Sequence, residues 1–250
     1  MKKLKAPAMF ALVMAPIGAV AAYFTILYQI DFLDAATLEM TVSQLGSLEA
    51  LIAVYIVQIV VYTLVLGFFG HMLAGKLGLM KPFRFEKAKL MQTLLLSLVV
   101  GVVLSLDYWT FGAVIPGIQE ADAAMLTPHV IAAAILYGGI IEELMLRLFC
   151  MSLIAWLIWK ILFRKYTQVS TGVLIAANVI SAMLFAAGHL PATVQMFGTL
   201  TPLILLRCFL LNGGAGMVFG WLYRKYGIHY AMASHALVHI VSKLIWLIAI

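Results

Sequence analysis

Seven apolar runs, each near the roughly 20 residues an α-helix needs to cross a bilayer, constrain this chain more than any motif in it. They cover residues 8–30, 51–69, 90–108, 129–163, 171–190, 203–223 and 228–250. With 65% hydrophobic and 10% charged residues, against about 25% charged in a soluble domain, the apolar excess must face lipid. The loops alternate in charge. Lys2, Lys3 and Lys5 precede the first run; Asp31, Asp34, Glu39 and Glu49 follow it. Lys76, Lys81, Arg84, Lys87 and Lys89 come after the second, and Asp107, Glu120 and Asp122 after the third. Arg164 and Lys165 follow the fourth, and Arg224 and Lys225 the sixth. The positive-inside rule then puts the N-terminus in the cytoplasm and the C-terminus outside.

The expected fold is all-α: one integral membrane domain over 1–250, a polytopic bundle of about seven spans, with 35–46 as a candidate eighth, interfacial helix. The fourth run is too long for one straight span, so it predicts a tilt or an interfacial turn near Trp156 and Trp159. The first run resembles a signal peptide, with Ala19-Val-Ala21 as a cleavage-like site. It continues through Tyr23, Phe24, Ile26 and Ile30, well past a signal-peptide core of about 7–15 residues, and is expected to be a retained helix. The net charge of +6 sits at the ends of apolar runs, so no nucleic-acid partner is expected; membrane lipid is. Segment 81–89, basic with Phe83 and Phe85 interleaved, belongs at headgroup level. Cys150 and Cys208 form no motif and read as small packing residues. Gly216 and Gly220 form a close-packing stripe on the sixth helix.

Within this background Glu142, His189, His235 and His239 stand out. A charge at mid-bilayer costs about 2.5–3.5 kcal/mol on insertion scales, so an ionisable residue inside a span points first to function. Each sits in a string whose key residues are one helical turn apart: Glu142-Glu143-Leu-Met-Leu-Arg147, Phe185-Ala-Ala-Gly-His189 and His235-Ala-Leu-Val-His239. Glu143 and Arg147 have the favoured order for an i,i+4 ion pair, which frees Glu142 to face a pocket. A structural ion pair without chemistry is the competing reading. His189, before Pro191, also fits an interfacial helix end, and His235 and His239 also fit interhelical hydrogen bonds. The pair has zinc-ligand spacing, but Ala236 stands where the metalloprotease pattern has Glu. Gly138 and Gly139, just upstream of Glu142, allow another helix or a substrate backbone to approach closely. His71, His129 and His229 lie near span ends, where exposure is ordinary. Water activated by Glu142 and His189 can attack an amide carbonyl, with His235 and His239 as donors to the oxyanion.

In this order the motifs resemble the CAAX protease and bacteriocin-processing family, the Abi intramembrane proteases. The family carries Glu-Glu-x-x-x-Arg, Phe-x-x-x-His and His-x-x-x-Asn. Glu142, Glu143 and Arg147 match the first, Phe185 and His189 the second, and His235 the third. The lead-in Gly220-Trp-Leu-Tyr-Arg-Lys-Tyr-Gly227 is similar too. The resemblance covers roughly residues 130–245 and departs at His239, where Asn is usual. Both side chains donate hydrogen bonds, but histidine also binds metal. The resemblance implies a glutamate-type endopeptidase with Glu142 as base, no cofactor, and a catalytic cavity between the fourth, fifth and last helices. Glu143, Arg147 and Phe185 would be its structural support. Compact loops and a Met-Lys-Lys start suggest a bacterial plasma-membrane protein that processes a membrane-associated peptide or protein. A metal-dependent hydrolase using Glu142, His189, His235 and His239, and a non-catalytic immunity-type protein, are the alternatives. One tension remains. At 1.5 Å per residue, Glu142 and His189 lie roughly 27 Å along their helices and His235 only about 12 Å. Straight, level helices would not bring them together, which asks for an offset fifth helix, a break near Trp156, or other boundaries.

Overall fold

A computed structural model describes residues 2–250; Met1 lies outside the described residues, as do the side chains of Lys2 and Lys3. The helices are α1 (Lys2–Phe32), α2 (Ala35–Leu45), α3 (Leu48–Lys76), α4 (Lys87–Ser105) and α5 (Ile118–Ala124). They continue as α6 (Pro128–Leu162), α7 (Thr171–Gly188), α8 (Leu190–Phe197), α9 (Pro202–Tyr226) and α10 (Ile228–Ala249). No strand occurs among the described residues. Among the described residues, seven helical segments are long and apolar enough to cross a membrane, so the chain is a multi-pass helical bundle. The candidate eighth helix is α2. Asp34 caps its start, accepting from the Thr37 N–H at 2.9 Å.

The bundle is apolar outside, as lipid requires, and gathers its polar side chains into an interior that is otherwise apolar. Val57, Leu95, Ile161, Leu206 and Ile248 are all more than half exposed, an arrangement water would penalise. Thr63, Thr93, Ser97, Ser105, Ser234 and Ser242 are buried instead. Ser97 Oγ donates to Ser234 Oγ at 2.9 Å, joining α4 to α10. Such interhelical bonds contribute about 0.6 kcal/mol each in a bilayer.

α1 packs along α3, and α10 lies between α4 and α6. Glycines on α6 and α9 permit close approaches between helices. A Cβ on Gly139 would sit 3.0 Å from the Ala236 backbone, so only glycine lets α6 and α10 meet there. On α9, Gly216 leaves room for the Arg147 guanidinium and Gly220 for the Asn178 amide. The small-residue stripe therefore packs α9 onto α6 and α7.

The long fourth span is not interrupted near Trp156 and Trp159: residues Ser152–Leu162 are continuous α-helix. Its irregularity lies deeper. Ala134–Glu142 and Leu144–Met151 adopt π-helical hydrogen bonding, a form often found at functional sites. The fifth span does break, at His189. Pro191 has no N–H to continue the helix, and the His189 N–H shifts to the Ala186 carbonyl at 3.1 Å.

Candidate active site

A cavity of about 450 Å³ opens within the bundle, and Glu142, His189, His235 and His239 all line it. The four residues singled out by sequence therefore converge, although they come from α6, the end of α7 and the middle of α10. The π-helical stretch and the break at His189 are the departures from straight helices that accompany this convergence. The wall is broader than three helices. α1 supplies Thr25, Tyr28 and Gln29, and α9 supplies Asn212.

Behind the cavity lies a charged layer closed to solvent. Glu143 is 0% and Arg147 1% exposed, and Arg147 Nη1 lies 3.1 Å from Glu143 Oε1. The contact is an ion pair without hydrogen-bond alignment, since both terminal guanidinium nitrogens and Glu143 Oε2 lack hydrogen-bond partners. The guanidinium stands over the rings of Phe185, at 4.4 Å, and Phe219, at 5.5 Å. Those rings pass the order on to the histidines. Phe185 packs edge-on to His189 at 4.7 Å, and Phe219 stacks on His235 at 4.3 Å.

Each of two imidazoles has one nitrogen tied back and the other free. The shift of the His189 N–H to Ala186 leaves the Phe185 carbonyl open, and His189 Nδ1 donates to it at 2.8 Å. A carbonyl only accepts, so Nδ1 carries the proton and Nε2 is free. His235 Nδ1 lies 2.9 Å from Glu143 Oε1 and donates to that carboxylate. Glu143 thus holds His235 as well as Arg147, a link the helical spacing did not indicate. His239 stacks on His235 with centroids 5.0 Å apart. Both Nε2 atoms point toward Gly138, where a Cβ would lie 3.0 Å from His239 Nε2 and 3.6 Å from His235 Nε2.

The remaining histidines are structural. His71 packs on Phe10, His129 Nε2 pairs with Asp31 at 2.6 Å, and His229 Nε2 donates to the Arg84 carbonyl at 3.0 Å. Among the described residues, no three or more His, Cys, Asp and Glu side chains are spaced to hold a metal ion.

Two features were not singled out from sequence. Lys243 also lines the cavity; it continues the column His235, His239 by one more turn, which is the signal that marks it. Near it lies a buried cluster in which Arg207 Nε contacts both Asp107 oxygens at 2.9 Å. Asp122 belongs to this cluster. Burial first, and then the Asp107 charge, push its carboxyl up to about 7 against the opposing pull of Arg207 and Lys243.

Residues 124–241 match the family model of the Rce1-like type II CAAX prenyl endopeptidases. No curated protein and no solved structure matches the chain. The matched region, a little under half of the chain, contains all four cavity residues together with Glu143 and Arg147 behind them, and over that region the chain is similar to the CAAX protease and bacteriocin-processing family.

Proposed function

We propose that the protein is an intramembrane endopeptidase of the glutamate type, acting on a membrane-associated peptide or protein. The observation that carries this reading is the convergence of Glu142, His189, His235 and His239 on one cavity inside the family-matched region. Glu142 takes a proton from a water that also donates to His189 Nε2, and the hydroxide attacks the scissile carbonyl carbon. The carbonyl oxygen becomes an oxyanion. His239 Nε2–H donates to it, and His235 does so when doubly protonated, through Nε2–H while Nδ1–H stays on Glu143. Collapse of the intermediate breaks the C–N bond as Glu142 returns the proton to the leaving nitrogen. Histidine at 239 serves the donor role that asparagine fills elsewhere in the family. The alternation of basic and acidic loops supports a cytoplasmic N-terminus, and the compact loops and Met-Lys-Lys start favour a bacterial plasma membrane.

The test compares membranes carrying the wild type, Glu142→Gln or His189→Ala, each shown to be folded, by mass spectrometry of newly formed peptide termini. Cleavage should vanish in both variants and persist when chelator is added to the wild type. Full cleavage in either variant would refute the assignment. His239→Asn should keep cleavage within about tenfold, because the amide still donates.

A further inference from the structure

A second cavity, of about 250 Å³, lies at the opposite end of α10 from Lys243, lined by segment 81–89 and the α9–α10 turn. Lys81, Arg84, Lys89 and Lys225 face it, against the single carboxylate of Glu86. That carboxylate is already engaged, by Arg84 Nη2 at 3.2 Å and Lys89 Nζ at 2.9 Å, so four cations against one anion leave the pocket at about +3.

The loop bearing Lys81 and Arg84 is fixed from below, and Lys89 and Lys225 stand on the helices beside it. Buried His229 and Tyr230 hold its backbone: His229 Nε2 donates to the Arg84 carbonyl at 3.0 Å, and the Glu86 N–H donates to Tyr230 Oη at 2.7 Å. Phe83 and Phe85 pack against the His229 ring at 5.2 and 5.4 Å. Like charges gathered around one cavity repel one another unless an anion joins them. A second observation says which anion. Phe83 is 81% and Phe85 48% exposed, beside the cations, at the level where two membrane helices begin at Lys87 and Ile228. Exposed aromatic rings next to cations at a span end fit the boundary between acyl chains and headgroups.

The geometry points to a binding site for the phosphate of an anionic lipid headgroup, held by Lys81, Arg84, Lys89 and Lys225 with Phe83 against the acyl chain. Arg84 presents the planar donor fork suited to phosphate, and the three ammonium groups act as point charges. The site depends on the bundle's placement in a bilayer and not on proteolysis. Its occupant ties the start of α4 to the turn before α10, and so steadies the helix that carries His235 and His239.

The purified protein in neutral detergent is titrated with dioctanoyl phosphatidylglycerol, dioctanoyl phosphatidylcholine and inorganic phosphate, reading the unfolding temperature. The glycerol lipid should raise it saturably, the choline lipid should bind at least tenfold more weakly, and phosphate at the same concentration should leave it unmoved. Removing a cation near an anionic headgroup weakens binding about fivefold, so Lys81→Gln with Lys225→Gln should lose roughly 25-fold, with the lipid-free unfolding temperature no lower than that of the wild type. Phe83→Ser should weaken the lipid as well. Should the double variant not fold, salt provides the same test in the wild type: raising it from about 50 to 500 mM should weaken phosphatidylglycerol at least tenfold. Equal affinity for the two lipids, an unaffected double variant, or salt-insensitive binding would overturn the site. Inorganic phosphate matching phosphatidylglycerol would mark a free-anion site and overturn the lipid.

Discussion

The charged layer behind the cavity supports a quantitative prediction. Arg147→Met leaves Glu143, with no exposed surface, beside His235 as its remaining partner. Breaking a buried pair from one side costs about 3–5 kcal/mol, and the guanidinium's stacking over Phe185 and Phe219 accounts for up to about 2 kcal/mol of that. Glu143→Gln alone strands Arg147 instead, at 1% exposure, with a loss of about the same size. Combining the two changes removes both charges. The amide oxygen still accepts from His235 Nδ1, and the Met thioether fills the space against the two rings, so the double variant should lose only about 1–2 kcal/mol, chiefly the stacking. The expected coupling is therefore about 4 kcal/mol or more, above the usual range for residues in contact because both charges are fully buried. Reversible unfolding in mixed micelles, followed by tryptophan fluorescence, measures each corner of the cycle. If the single losses add up to the double within about 0.5 kcal/mol, the two buried charges do not compensate one another, and the account of this layer fails.

Gly138→Ala would put a methyl 3.0 Å from His239 Nε2 and 3.6 Å from His235 Nε2. His239 must give by a few tenths of an ångström, where a full 1 Å costs about 100-fold in rate, so cleavage should fall severalfold with unfolding within about 1 kcal/mol of wild type; unimpaired cleavage would contradict the oxyanion placement. Asp122, raised from 3.8 to about 7, binds its proton more tightly in the folded state. Its contribution to stability is therefore fully present below pH 3.8, declines as pH rises toward 7, and is flat above. Asp122→Asn should remove that decline from unfolding measured between pH 4 and 8, and an unchanged slope would show that Asp122 is not its source.

The spans were legible because apolar length and loop charge are one-dimensional signals: no packing need be known to see that 51–69 is long and apolar enough to cross a bilayer. The site residues were legible because a helix turns spacing into a face, which put Glu143 beside Arg147 and His235 beside His239. Depth was not legible in the same way. A count at 1.5 Å per residue assumes straight α-helix, whereas the chain turns π-helical over most of Ala134–Met151. That change accompanies contacts with another helix, Gly139 against Ala236 above all, and those contacts leave no local mark. The break at His189 did leave one, in Pro191. Long-range partners form a third class. Glu143 with His235, and Asp107 with Arg207, pair across 92 and 100 residues, beyond the reach of any periodic pattern. Thr25, Tyr28 and Gln29 fall between the classes: their i, i+3, i+4 spacing puts them on one face of α1, but only the folded bundle shows that this face closes the cavity. The same physics explains why four expensive residues could point to the site at all. Lipid penalises a polar side chain wherever it is exposed, so Glu142 and the histidines had to face a common interior, and a bundle this size offers few interiors large enough to hold them together.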